Sequence, residues 1–381
     1  MVQWHQRALA GLCRRCIISA SKGLSSVFLF GHWSWVGQMG RRSESDGASG
    51  RPRSRLLWWV KRGLLVVCVI YVSVPFMMRL FPDIIKHLVY SHRVSVPFFV
   101  NLSQPADLYL NHTVNMYLKS EQGISLGVWH TVPESQWKEA QGKDLEWYQD
   151  SLGAGIPIII YLHGNGGTRA ASHRVGLIHV LSAIGCHVLA LDYRGFGDST
   201  GEPTEVGLTT DTLYLYQWVK ARSGSSLVVL WGHSLGTGVA TNTAVKLIEQ
   251  GIVVDGVIIE GAYTNIRQGG AHHPFAWFYR KFPGFEYFFL DTMAENNIIF
   301  PNDENLKRMK SRLLILHAED DHIVPIHMAQ QLYEIAQSAQ NSENQVKMIP
   351  FAGSLGYHHN GLYKDPHLPG IIREFVHTLA P

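Results

Sequence analysis

The hydrophobic positions of this chain fall into two regimes. From Gly63 to Met78 they run without a charged residue. At about 1.5 Å per residue, a helix of that length covers about 24 Å, a little short of a ~30 Å hydrocarbon core. The flanks extend it. Trp58 and Trp59 suit an interfacial aromatic belt, Lys61, Arg62 and Arg79 can snorkel, and Leu80 and Phe81 add apolar surface. A single transmembrane helix is therefore expected over 56–81. A cleaved signal segment fits less well, because the run begins past residue 60 and no small-residue cleavage site follows it.

From about residue 155 the pattern changes to short apolar runs alternating with amphipathic stretches. The runs are Ile156 to Leu162, His187 to Leu191, Leu227 to Trp231, Val257 to Ile259, Leu313 to Leu316 and Val346 to Ile349. Strands apolar on both faces, separated by helical patterns, predict an α/β fold with a mostly parallel sheet and helices on both sides. Between the fourth and fifth runs lies a long stretch crowded with aromatic residues, from Phe275 through Phe289. It reads as a cap over about 265–305, offering an apolar channel or contact with a bilayer. The expected organisation is an arm over 1–55, the membrane helix, a connector with N-terminal strands over 82–150, and the main domain over 151–381.

Charge then orients the chain. Arg51, Arg53, Arg55, Lys61 and Arg62 crowd the N-terminal side of the apolar run. The positive-inside rule places the arm in the cytosol and the main domain across the membrane. Two N-glycosylation sequons, at Asn101 and Asn111, agree with that orientation as a pair. The net charge of +3 is too small, and too little clustered, to point to nucleic acid. Of four cysteines only Cys186 follows the membrane run, so the main domain cannot hold an internal disulfide. Cys13 and Cys16 form a lone C-x-x-C in the arm, where they read as unpaired thiols or palmitoylation sites ahead of a zinc site.

The candidate chemistry sits where the apolar runs end. Directly after the third comes Gly232-His233-Ser234-Leu235-Gly236, then a helix-like run. This is G-x-S-x-G in its required setting of strand, tight turn and helix, which lifts a serine hydroxyl clear of a sheet. The first run ends in His163-Gly164-Asn165-Gly166-Gly167. Glycines there let backbone N–H groups approach an oxyanion, and the donors expected are those of Asn165 and Leu235. The loop has neither G-x-G-x-x-G nor Walker spacing. After the fifth run comes Glu319-Asp320-Asp321-His322-Ile323-Val324-Pro325, and after the last Tyr357-His358-His359-Asn360. An acid and a histidine in the order Ser…Asp…His complete a triad. Asp321 is preferred over Asp320, and His359 over His358. No H-E-x-x-H appears, and neither metal nor cofactor is expected. No obligate protein partner is evident.

Longer segments carry a resemblance. GHSLGTGVATN (232–242), YLHGNGGTRAASHR (161–174), LDYRGFGDSTG (191–201), FPNDEN (300–305) and LLILHAEDDHIVP (313–325) resemble the lysophosphatidylserine lipases, also described as monoacylglycerol lipases, of the α/β-hydrolase-domain family. The resemblance runs from about Leu57 to Phe375. It implies an α/β-hydrolase fold, a serine hydrolase acting on single-chain lipid esters, and a triad of Ser234, Asp321 and His359. It also implies a single-pass endoplasmic-reticulum protein with a glycosylated lumenal domain. Two segments depart from the family pattern, Glu260-Gly261-Ala262-Tyr263 and His358-His359-Asn360. They point to a paralogue with altered substrate preference. An acyl-protein thioesterase and a non-catalytic membrane-anchored interaction protein are the alternative readings.

Overall fold

The computed structural model describes residues 51–340 and 345–380. Residues 1–50, with Cys13 and Cys16, lie outside the described residues. The chain divides into two compact units, Met1–Gly63 and Leu64–Pro381, and the sheet, the site and the cap all belong to the second. Helix α1 (Arg51–Leu80) starts within the segment expected as arm, with Pro52 in its first turn, where a missing N–H costs no helical hydrogen bond. From Arg55 to Leu80 it is long and apolar enough to cross a membrane.

One eight-stranded sheet organises the rest, in the order β1-β2-β4-β3-β5-β6-β7-β8. Its strands are β1 (Thr113–Glu121), β2 (Ile124–Thr131), β3 (Ile158–Leu162), β4 (His187–Leu191), β5 (Val228–His233), β6 (Gly256–Glu260), β7 (Arg312–Ala318) and β8 (Val346–Phe351). Strands β3 to β8 run parallel. The β1–β2 hairpin joins antiparallel, with β2 against β4. The sheet thus begins at residue 113, upstream of the boundary drawn at 151. The hairpin covers what would be an exposed edge of β4.

Alternation along each strand divides the core in two. Ile158, Ile160, Leu162, Val228, Leu230, Val257, Ile259, Leu313 and Ile315 face one side. They pack under α5 (Glu205–Lys220), α6 (Leu235–Glu249) and α10 (Ile326–Gln340) through Leu215, Val239 and Leu332. Ile159, Tyr161, Val229, Trp231, Ile258 and Leu314 face the other. They meet α4 (Ser172–Ala183) and α11 (Leu368–Leu379) through Ile178 and Ile372. Burial on both faces is why these strands read as continuous apolar runs.

Between β6 and β7 the chain forms the cap. It is built from α7 (Ile266–His272), a series of short turns, α8 (Asp291–Glu295) and α9 (Asn302–Arg308). Before the hairpin, α2 (Asp83–Tyr90) and the loop after it lie against the β3–α4 loop. Gly166 N–H donates to the Tyr90 carbonyl and Gly167 N–H to that of Val94, at 2.9 and 2.8 Å. Helix α3 (Leu145–Ser151) leads into β3 and is capped by Asp144.

Candidate active site

Each chemistry-bearing loop leaves the carboxyl end of a parallel strand, so the topology brings them to one edge of the sheet. Ser234 joins β5 to α6 with φ 53° and ψ −118°, a conformation that non-glycine residues rarely adopt. What enforces it is contact. A Cβ on Gly232 would collide with the Gly236 carbonyl, and one on Gly236 with the carbonyl of Leu162. Both glycines are required by close approach, as the pentapeptide predicts. The Ser234 N–H donates to the Glu260 carbonyl at 2.9 Å, tying the elbow to β6.

The acid and histidine loops sort into two pairs. Nδ1 of His359 lies 2.7 Å from Oδ2 of Asp321, and both residues are buried. The other Asp321 oxygen accepts the backbone N–H groups of Ile323 and Val324, at 2.8 and 2.9 Å. Burial pushes the Asp321 carboxyl up, but the His359 hydrogen bond and charge, with the Val324 N–H and His317, outweigh it and bring the carboxyl below its ordinary range. An ionised Asp321 fixes the proton on His359 Nδ1, which leaves Nε2 as the basic nitrogen. The runners-up pair with each other instead: His358 Nδ1 is 2.9 Å from Asp320 Oδ2, and the His358 side chain is 60% exposed. The structure therefore brings together Asp321 and His359 and turns His358 toward solvent.

The oxyanion loop follows β3. Asn165, Ser234 and Leu235 line one cavity of about 360 Å³. A Cβ on Gly164 would come 3.0 Å from the Ser234 Cβ, so this loop lies directly on the elbow. Away from Ser234 the lining is mostly apolar, with Ser91 and His273 as its polar members. Ile85, Leu88 and Val89 of α2 form one part of it, and Ile266, Tyr279, Phe285, Phe289 and Met293 of the cap another. Such a site offers an acyl chain an apolar slot and holds its polar end at Ser234.

Several residues that hold this geometry carried no sequence signal. His233, the variable position of the pentapeptide, places Nε2 2.9 Å from the His359 carbonyl. A carbonyl only accepts, so Nε2–H is the donor, and burial with the nearby His359 charge keeps this ring far below its usual range. Arg174 is 3% exposed and braces the oxyanion loop by donating to the carbonyls of Thr168, Gly166 and Gly164 at 2.8, 2.8 and 3.3 Å. Asp192 accepts from the Arg169 N–H and guanidinium at 2.7 and 2.6 Å. Burial raises its carboxyl, and Arg169 with His163 brings it below the ordinary value. Arg194 pairs with Asp211 at 2.7 Å.

Glu260 ends β6 and is buried beside the pair. It accepts from the Trp231 indole at 2.9 Å. Burial raises its carboxyl to about 7, against the lowering effects of Trp231 and His359. Asn101 and Asn111 are both exposed, and Asn101 Oδ1 accepts from the Ser103 hydroxyl at 2.7 Å. Among the described residues no cluster of three or more metal-ligating side chains occurs.

The comparisons agree with this architecture. A family model described as alpha/beta hydrolase fold matches residues 157–298. The lysophosphatidylserine lipase ABHD12 of Rattus norvegicus is 48% identical over 343 residues, covering 89% of this chain and 86% of that protein. The protein ABHD12B of Homo sapiens is 50% identical over 298 residues, covering 78% and 82% respectively. Among solved structures, the Pyrococcus furiosus esterase Pf2001 gives a TM-score of 0.54 at 19% identity, covering 75% of this chain and 97% of that one. At that identity the likeness concerns the fold alone.

Proposed function

Because this chain belongs to the α/β-hydrolase family that contains the lysophosphatidylserine lipases, we propose that it is a serine hydrolase of single-chain lipid esters. Its proposed substrates are lysophosphatidylserine and other lysophospholipids, with monoacylglycerol beside them. The observation that carries this reading is the position of Ser234: it lies at one end of an apolar cavity, in a strained elbow tied to the loop of a buried His359–Asp321 pair.

In this mechanism Ser234 Oγ attacks the acyl carbonyl while His359 Nε2 takes its proton. Asp321 holds the imidazole in that tautomer and stabilises the imidazolium. Negative charge on the carbonyl oxygen is met by the backbone N–H groups of Asn165 and Leu235. The latter opens α6, whose N-terminal dipole adds to the stabilisation. Collapse breaks the ester bond, and the leaving glyceryl oxygen takes the proton from His359. Water then attacks the acyl-enzyme with His359 again as base, which releases the fatty acid and restores Ser234.

We also propose that α1 spans the endoplasmic-reticulum membrane once, with the N-terminus cytosolic and the catalytic domain lumenal. The basic residues before the apolar run support this orientation, as does the exposure of both sequon asparagines. The reading is tested by a hydrolysis panel of lysophospholipids and monoacylglycerols on membranes carrying the wild-type chain or Ser234→Ala. Release of fatty acid that disappears with Ser234→Ala supports it, and Ser234-independent or absent release contradicts it.

A further inference from the structure

From Leu64 onward α1 is not apolar and exposed all round. Tyr71, Val74, Pro75, Met78 and Arg79 are shielded, while Val69, Ile70, Val72, Phe76 and Met77 are open. The shielded set follows i, i+3, i+4, i+7, i+8, one stripe of a helix. Part of what covers the stripe is the cap. The Tyr71 ring stacks on Tyr279 at 4.9 Å and meets Phe282 edge-on at 5.6 Å, and its hydroxyl donates to the Phe278 carbonyl at 2.9 Å. Phe76, beside the stripe, packs on Phe288 at 4.7 Å. Arg79 pairs with Glu295 at 2.7 Å and lies over the ring of Tyr287.

Depth follows from helix geometry. Tyr71 precedes the end of α1 at Leu80 by nine residues, about 13 Å along the axis. The helix from Arg55 to Leu80 is some 39 Å long, so a ~30 Å hydrocarbon layer centred on it reaches past Tyr71 toward Phe76. A tyrosine hydroxyl at that depth needs a protein partner, and the Phe278 carbonyl supplies one. Whatever touches Tyr71 shares its depth. Trp277 and Phe278 are 65% and 66% exposed, so they present open apolar faces at that level. The cap backbone at this level is bonded turn by turn, Tyr279 N–H to Ala276 and Phe282 N–H to Tyr279. Arg280 folds back onto the His272 carbonyl, and exposed Lys281 has a stem long enough to reach phosphates.

Tyr279 also lines the cavity that holds Ser234, with Phe289 5.2 Å from it. One side chain therefore separates the helix-facing surface of the cap from the acyl slot. We propose that the cap is sunk into the leaflet that α1 enters, and that lipid reaches Ser234 sideways from that leaflet past Tyr279, without crossing water. The partner is the bilayer itself, since the apolar surface of the cap is continuous with the helix that crosses it. The route past Tyr279 rests on the lipid-hydrolase reading, and the docking on the reading of α1 as a membrane span.

The test keeps the two apart. The full chain, with Cys13, Cys16 and Cys68 changed to Ser, is reconstituted in phosphatidylcholine vesicles carrying an environment-sensitive dye on Phe278→Cys, on Trp277→Cys, or on exposed Glu146→Cys. Brominated acyl chains in the bilayer are expected to quench the dye at 278 and 277 several-fold and to leave 146 unchanged. Equal, negligible quenching at all three sites overturns the docking, whether or not the chain hydrolyses lipid. For the route, Trp277→Glu/Phe278→Glu is expected to lower hydrolysis of a long-chain monoacylglycerol in vesicles tenfold or more, with a water-soluble short-chain ester cleaved within twofold of wild type. Equal effects on both substrates overturn the lateral route.

Discussion

Nε2 of His233 lies 2.9 Å from the carbonyl oxygen of His359, so the residue before the nucleophile latches the loop that carries the base. Ser234 and His359 are 125 positions apart, and this bond fixes one loop against the other before any substrate arrives. Preorganisation of that kind is what lets a serine, an imidazole and a carboxylate act as one unit.

The two acid–histidine pairs make opposite predictions. Asp321→Asn and His359→Ala remove the buried pair and should lower turnover roughly 10⁴-fold. Asp320→Asn and His358→Ala disturb only the half-exposed pair and should stay within about threefold of wild type, since surface ion pairs contribute little. Steady-state kinetics on one lysolipid separates them. Comparable losses in both sets would contradict the assignment.

Glu260 predicts a pH signature. Its carboxyl moves from 4.5 to about 7 on burial, so across that window the folded chain keeps a proton that the unfolded chain has released. Stability therefore falls as pH rises from 4.5 to 7 and levels off above. Glu260→Gln mimics the protonated form, so it should flatten that slope and raise Tm by a few degrees above pH 7. Superimposable pH profiles for the two chains would count against a buried, proton-holding Glu260.

Arg169 is fully shielded and clamps Asp192 at 2.6 Å and Asp198 at 2.7 Å. Arg169→Met takes the guanidinium from the buried Asp192 carboxylate and leaves it only His163 and one backbone N–H, at a cost of about 3–5 kcal/mol. Thermal unfolding should drop by roughly ten degrees, given 2–4 °C per kcal/mol for a domain of this size. An unchanged Tm would show that the clamp is dispensable.

Topology is tested by sugar. Asn101→Gln and Asn111→Gln should each remove one endoglycosidase-sensitive mobility step from the full chain made in cells. A wild-type chain with no such step would put the domain on the cytosolic side and revive the thioesterase alternative.

The elbow was legible in the sequence because Gly232, Ser234 and Gly236 are local: the clash of each glycine is with its own turn or the neighbouring strand. The six parallel strands were legible because burial on both faces writes an unbroken apolar run. Adjacent alternatives were harder. Asp320 and Asp321 have the same residue type and nearly the same position, and only the turn that donates the Ile323 and Val324 N–H groups to Asp321 separates them. Buried arginines hid as well, since Arg169 and Arg174 look like surface residues until the loop that surrounds them is seen. The contact between Tyr71 and Tyr279 spans more than two hundred positions, and nothing local encodes it. The hairpin at the sheet edge falls where N-terminal strands were expected, and its antiparallel pairing with β4 is long-range, so no local pattern encodes it.

The most direct test of the account is covalent. A fluorophosphonate probe applied to membranes carrying the full chain should label it once, at Ser234, and Ser234→Ala should abolish both the label and fatty-acid release from lysophosphatidylserine and monoacylglycerol. Labelling at another residue, or lipid hydrolysis that survives Ser234→Ala, would contradict it.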